Sequence, residues 1–187
     1  MRKKLILKVV VTAILTAIIF VQEEALSFIP NVQLTVLLLV LYGAYCGPKW
    51  GTAIVLMHVL LDNLFVGSMT LYVILPMFIG WEAILLASYF VRKKNIYVKA
   101  TVAGIGALLY CWIFVLSSVV FYKVDFKAYV IADIPAEIVL VACSVITVLW
   151  LYNPLFKALK KNDVYLIDTN TSDPQTSEEE NINQTEE

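Results

Sequence analysis

Apolar residues run through this chain in blocks rather than in alternation. Six blocks, at 5–21, 32–46, 50–66, 71–91, 100–122 and 134–152, are separated by a few polar or turn-forming residues. Apart from the short second block, they have about the 17–23 residues a helix needs to cross the hydrocarbon of a bilayer. Backbone groups in lipid must satisfy their own hydrogen bonds, so each block predicts a helix. The connections are short, which makes successive helices antiparallel neighbours. The expectation is an all-α integral membrane protein. Residues 1–161 form a compact bundle of six transmembrane helices. Residues 162–187 form a polar, acidic cytoplasmic tail too poor in apolar side chains to fold, and hence disordered.

The charges orient the bundle. Arg2, Lys3, Lys4 and Lys8 precede or open the first block, Lys49 lies between the second and third, Arg92, Lys93, Lys94 and Lys99 between the fourth and fifth, and Lys157, Lys160 and Lys161 follow the sixth. Lys123 and Lys127 fall on the other side. Basic residues concentrate in cytoplasmic loops, so both termini are expected in the cytoplasm. The basic start and apolar body of the first block are like those of a signal peptide, but no small-x-small cleavage site precedes Gln22. It is read as a retained helix.

Composition agrees with this layout. The chain is 60% hydrophobic with a mean hydropathy of +0.81, whereas soluble domains are about 45–50% apolar. The formal net charge of −1 reflects mainly the acidic tail. The sequons at Asn170 and Asn183 fall on the expected cytoplasmic side, which argues against their use.

Several chemistries are missing. There is no P-loop, dinucleotide fingerprint or G-x-S-x-G elbow. Cys46, Cys111 and Cys143 are isolated and His58 is the single histidine, so no metal-site spacing arises. The cysteines read as small apolar packing residues. "QEEALSF" (22–28) begins like the E-E-x-x-x-R motif of intramembrane CAAX-type proteases, but Phe28 stands at the arginine position and the pair falls in an outward loop. No internal repeat is evident, whereas transporters that rock about a midplane site usually have two related halves. No catalytic residue, metal ligand or nucleic-acid surface is indicated, and no cofactor is expected in this chain.

Ionisable groups within a membrane are costly, which makes them functional candidates. The topology places Asn31 and Gln33 at the outer start of the second helix, and Asp62 and Asn63 in the outer third of the third. Tyr72 begins the fourth helix, and Trp81 and Glu82 lie about halfway down it. Asp133 stands at the outer mouth of the sixth helix, where it also suits an N-cap with Pro135 in the first turn. Glu137 lies one turn deeper, about 6 Å. His58 is read as an interhelical hydrogen-bonding residue. No Lys or Arg is embedded beside these acids. Converging carboxylates repel or take up protons unless a ligand with N–H donors or positive charge relieves them. Ala13 and Ala17 form a small-xxx-small step, as do Gly47 and Gly51. That spacing lets helices approach closely in lipid.

The stretches "IPNVQLTVLLLVLYGAYCGPKWG" (29–51) and "VLLDNLFVGS" (59–68), followed by "IADIPAEIV" (131–139) and "LYNPLFKALKK" (151–161), complete the pattern. Together with six helices, it resembles the substrate-binding S component of an energy-coupling factor (ECF) vitamin transporter, over roughly residues 1–161. The resemblance implies a pocket near the outer face, closed by the loops after helices one and three and lined by residues of helices four to six. It implies capture of a vitamin or related micronutrient in a bacterial plasma membrane, for import with a T component and two ABC-type ATPases. Those partners, not this chain, use ATP and Mg. It implies that the component topples in the lipid to release substrate inward, and that Ala13 and Ala17 dock on the T component. The base-poor outer half favours a cationic or amine-bearing ring, stacked on Trp81 and bound by Glu82. Asn31, Gln33, Asp62, Asn63, Tyr72, Asp133 and Glu137 complete the expected substrate contacts. The alternatives are a CAAX-protease-like intramembrane enzyme and an accessory membrane protein without a small ligand.

Overall fold

In a computed structural model, which describes residues 2–29, 32–67 and 69–161, the chain forms five helices and no strand among those residues. They are α1 (Arg2–Leu26), α2 (Thr35–Val66), α3 (Leu71–Phe90), α4 (Ile96–Tyr122) and α5 (Phe126–Lys160). All five are long and apolar enough to cross a membrane. The 162–187 tail and Asn31 lie outside the described residues.

The second and third expected spans both fall within α2, which is interrupted at Gly47. Gly47 has φ 70° and ψ 179°, a backbone conformation essentially restricted to glycine. Pro48 follows it and disfavours a helical residue before it. The two halves of α2 are not collinear. Thr35 Oγ1 accepts a hydrogen bond from Gln22 Nε2 at 2.7 Å, and His58 Nε2 lies 3.1 Å from Glu23 Oε2. In a straight helix residues 35 and 58 would stand about 35 Å apart. Both reach the same end of α1, so the chain doubles back at Gly47.

The first half of α2 is the centre of the molecule. Every residue from Thr35 to Gly43 is buried, and all but Thr35 and Gly43 are large and apolar. α3 crosses it closely at Gly43, where a Cβ would come within 2.5 Å of the Leu85 carbonyl oxygen. Tyr42 donates from its hydroxyl to the Leu15 carbonyl at 3.4 Å, tying α1 to the same core. The outer faces are apolar and exposed, as at Leu64, Leu71 and Trp150. In lipid such faces need no protein cover, and close packing of small residues replaces the hydrophobic drive of a soluble core.

The basic residues collect where α2 reverses. Tyr89, against Gly47, lies under the Arg92 guanidinium at 4.0 Å. Lys99 Nζ sits 4.6 Å from the Tyr152 ring centroid, which brings the start of α4 to the end of α5. The opposite end carries the acids.

Two helices begin well before their apolar blocks. α4 begins at Ile96, four residues earlier than its apolar block, because Asn95 caps it by accepting from the Val98 N–H at 2.9 Å. α5 begins at Phe126, eight residues before 134, because Asp125 accepts from the Ala128 N–H at 2.9 Å. Asp133 therefore caps nothing. It lies two turns inside α5, and Pro135 sits within the helix.

Candidate functional site

Away from the basic end, the last turns of α1, the segment entering α2 and the second half of α2 enclose a cavity of about 330 Å³. Its polar wall is Glu23 and Glu24 of α1, Gln33, and Asp62 of α2, and Tyr110 of α4 closes the inner side. Three carboxylates thus face one volume, and no Lys or Arg lines it among the described residues.

The wall is built by local hydrogen bonds. Gln22 clamps the start of α2: its Oε1 accepts from the Leu34 N–H at 2.8 Å while its Nε2 donates to Thr35 Oγ1 and to the Ile19 carbonyl. The Thr35 hydroxyl then has one proton to offer. It lies 3.5 Å from Glu23 Oε2 and 3.4 Å from Gln33 Oε1. Glu23 also faces fully buried His58. The 3.1 Å separation is within ion-pair range, but among the described residues neither His58 nitrogen has a hydrogen bond.

Behind the cavity, Tyr110 stacks on Trp81 with ring centroids 3.8 Å apart and planes 19° from parallel. Trp81 is fully buried, and its Nε1 has no hydrogen-bond partner among the described residues. It supports the aromatic wall, and Tyr110 is the ring exposed to the cavity.

Of the residues singled out in the sequence, Gln33 and Asp62 line this volume and Trp81 backs it. Asn63 turns inward, donating to the Val59 carbonyl at 2.8 Å and to Met77 Sδ at 3.3 Å. Tyr72 packs with Phe121 and Tyr122 beside a separate apolar groove of about 510 Å³ between α3 and α4. Glu82 Oε1 accepts from the Thr52 hydroxyl at 2.6 Å, and its Oε2 is buried without a hydrogen-bond partner among the described residues. Thr52 precedes Asp62 by ten residues, about 15 Å of helix, so the structure separates Glu82 from the cavity carboxylates. Asp133 and Glu137 stand with Cys111, their ligand atoms all within 4.8 Å of one another. Ala13 and Ala17 are exposed on α1, and Ala13 lines a groove of about 350 Å³ with Trp50, Ala53 and Met57.

Glu23, Glu24 and Tyr110 were not among the expected contacts. The two glutamates were read as loop residues, whereas α1 continues to Leu26 and carries them on its last turns. A signal was present: two adjacent acids at the end of an apolar helix. Tyr110, in a run of apolar residues, offered none.

The family model described as "ECF transporter, substrate-specific component" matches residues 7–171. No curated protein and no solved structure matches the chain.

Proposed function

The chain belongs to the substrate-specific components of ECF transporters, and from that premise we propose that the acid-walled cavity captures a cationic or amine-bearing, ring-containing micronutrient. The observation carrying this reading is the convergence of Glu23, Glu24 and Asp62 on one volume that Tyr110 borders and that no Lys or Arg lines among the described residues. A positive charge or N–H donors on the ligand would offset the carboxylate repulsion, and a flat ring would stack on Tyr110. Gln33 offers both a donor and an acceptor for orientation.

Members of this family are membrane-embedded substrate-binding subunits rather than enzymes, and work within ECF transporters with a T component and ATPases. In our reading the chain crosses a bacterial plasma membrane six times, the two halves of α2 counting as separate spans, with both termini in the cytoplasm. The gathering of basic residues at the Gly47 end supports that orientation. The T component docks on the α1 face bearing Ala13 and Ala17, and its two ATPases supply the energy from ATP and Mg. The cavity then opens toward the outside.

Native mass spectrometry of the chain purified from membranes tests the ligand assignment. A bound small molecule with a basic nitrogen and a ring is expected. A bound carboxylate or phosphate compound would contradict it.

A further inference from the structure

A second polar cluster lies between α4 and α5. Asp133 and Glu137 are four residues apart on one face of α5, so both side chains point the same way. Cys111 of α4 faces them. One ligand atom from each residue falls within a set whose members are all within 4.8 Å. Glu137 keeps 9% of its accessible surface. Among the described residues neither carboxylate has a hydrogen bond or an ion pair. Two carboxylates this close repel one another, and the burial of Glu137 and half-burial of Asp133 weaken the solvent screening of that repulsion. Cys111 as a thiol supplies one weak donor for two carboxylates.

We infer that Cys111, Asp133 and Glu137 form a binding site for a divalent cation of borderline softness, of which Zn²⁺ is the representative. The donor set selects this class. A thiolate disfavours Mg²⁺ and Ca²⁺, which take oxygen ligands, whereas mixed sulfur and carboxylate ligation suits zinc. Three protein ligands leave a fourth position for water or another ligand. With metal–ligand bonds of about 2.0–2.3 Å, tetrahedral ligands stand about 3.3–3.8 Å apart. The three groups therefore close by roughly 1 Å, within the range of side-chain rotation. Binding releases the Cys111 thiol proton to solvent and takes the cluster from two net negative charges to one, the cation offsetting two of the three anionic ligands. The inference does not depend on the ligand of the α1–α2 cavity, because none of the three residues lines it.

Co²⁺ titration of the purified full chain in detergent tests the site, since cobalt bound to a thiolate absorbs in the near ultraviolet and colourless Zn²⁺ displaces it. The expected result is one equivalent of Co²⁺ with a thiolate charge-transfer band, abolished by Zn²⁺. Cys111→Ser should lose the band, and Glu137→Gln should weaken binding about tenfold or more. Cys46→Ser and Cys143→Ser should change neither. A missing band, or one that survives Cys111→Ser, would overturn the proposal. So would Co²⁺ affinity unchanged in Glu137→Gln. Circular dichroism and gel filtration of each variant separate loss of the site from loss of the fold. An intact cavity ligand in Cys111→Ser would keep this result independent of the capture reading.

Discussion

His58 Nε2 stands 3.1 Å from Glu23 Oε2, joining the buried face of α2 to the acidic end of α1. Glu23 is one of the three cavity carboxylates. Glu23→Gln keeps the side-chain shape and the acceptor near Thr35 but removes the charge. Ligand affinity is expected to fall about tenfold, equivalent to about 1.4 kcal/mol. Isothermal titration with the co-purified ligand measures it. Unchanged affinity would remove Glu23 from the capture site.

Asp62 faces the same volume from α2, and it has no hydrogen-bond partner of its own among the described residues. Its charge is thus left for the ligand. Asp62→Asn is expected to cost about 1.5–3 kcal/mol of binding, the range for a hydrogen bond to a charged group. The loss should be larger for a cationic ligand than for a neutral analogue of the same shape. Equal losses for the two would show that shape rather than charge is being read.

Glu82 behaves differently, because Thr52 already donates to it at 2.6 Å. Thr52→Val removes that donor and leaves a partly buried carboxylate unsatisfied. The chain should lose about 1–3 kcal/mol of stability, read as a lower midpoint in detergent-solubilised thermal unfolding. Ligand affinity should stay the same. A Thr52→Val protein of normal stability but weak binding would return Glu82 to the capture site.

The sequence made the membrane helices legible because lipid imposes a length and forbids unpaired backbone groups. It also marked the reversal within α2: glycine and proline adjoin at 47–48, and the chain turns there. The start of α5 was hidden because 126–133 contains polar residues that do not extend an apolar run, while Asp125 caps the helix regardless. Depth along a helix also proved a poor guide to convergence. Asp62 and Glu82 both looked available to one ligand, but the Thr52 contact anchors Glu82 about 15 Å along α2 from Asp62. Which faces meet depends on crossing angles, and here a close approach at Gly43 helps fix one of them.

The Gly47 conformation yields a prediction about folding rather than binding. With φ at 70° and ψ at 179°, any other residue is strained by about 1–3 kcal/mol. Gly47→Ala should destabilise the chain by that amount while leaving ligand affinity intact, since position 47 is at the end away from the cavity. Thermal unfolding with and without ligand distinguishes the two effects. Full stability in Gly47→Ala would mean that the two halves of α2 are joined in some other way.

The proposed docking role of Ala13 and Ala17 separates capture from transport. Both are exposed on α1, and their small side chains leave room for another helix to approach. The acidic cavity lies at the far end of α1, at Glu23 and Glu24. Replacing both alanines by leucine should therefore leave ligand binding unchanged and abolish co-purification with the T component and its ATPases. Uptake into cells should fall with it. A doubly substituted chain that still assembles the full complex would place docking on another face, and the groove beside Trp50 and Met57 would have to be explained by lipid alone.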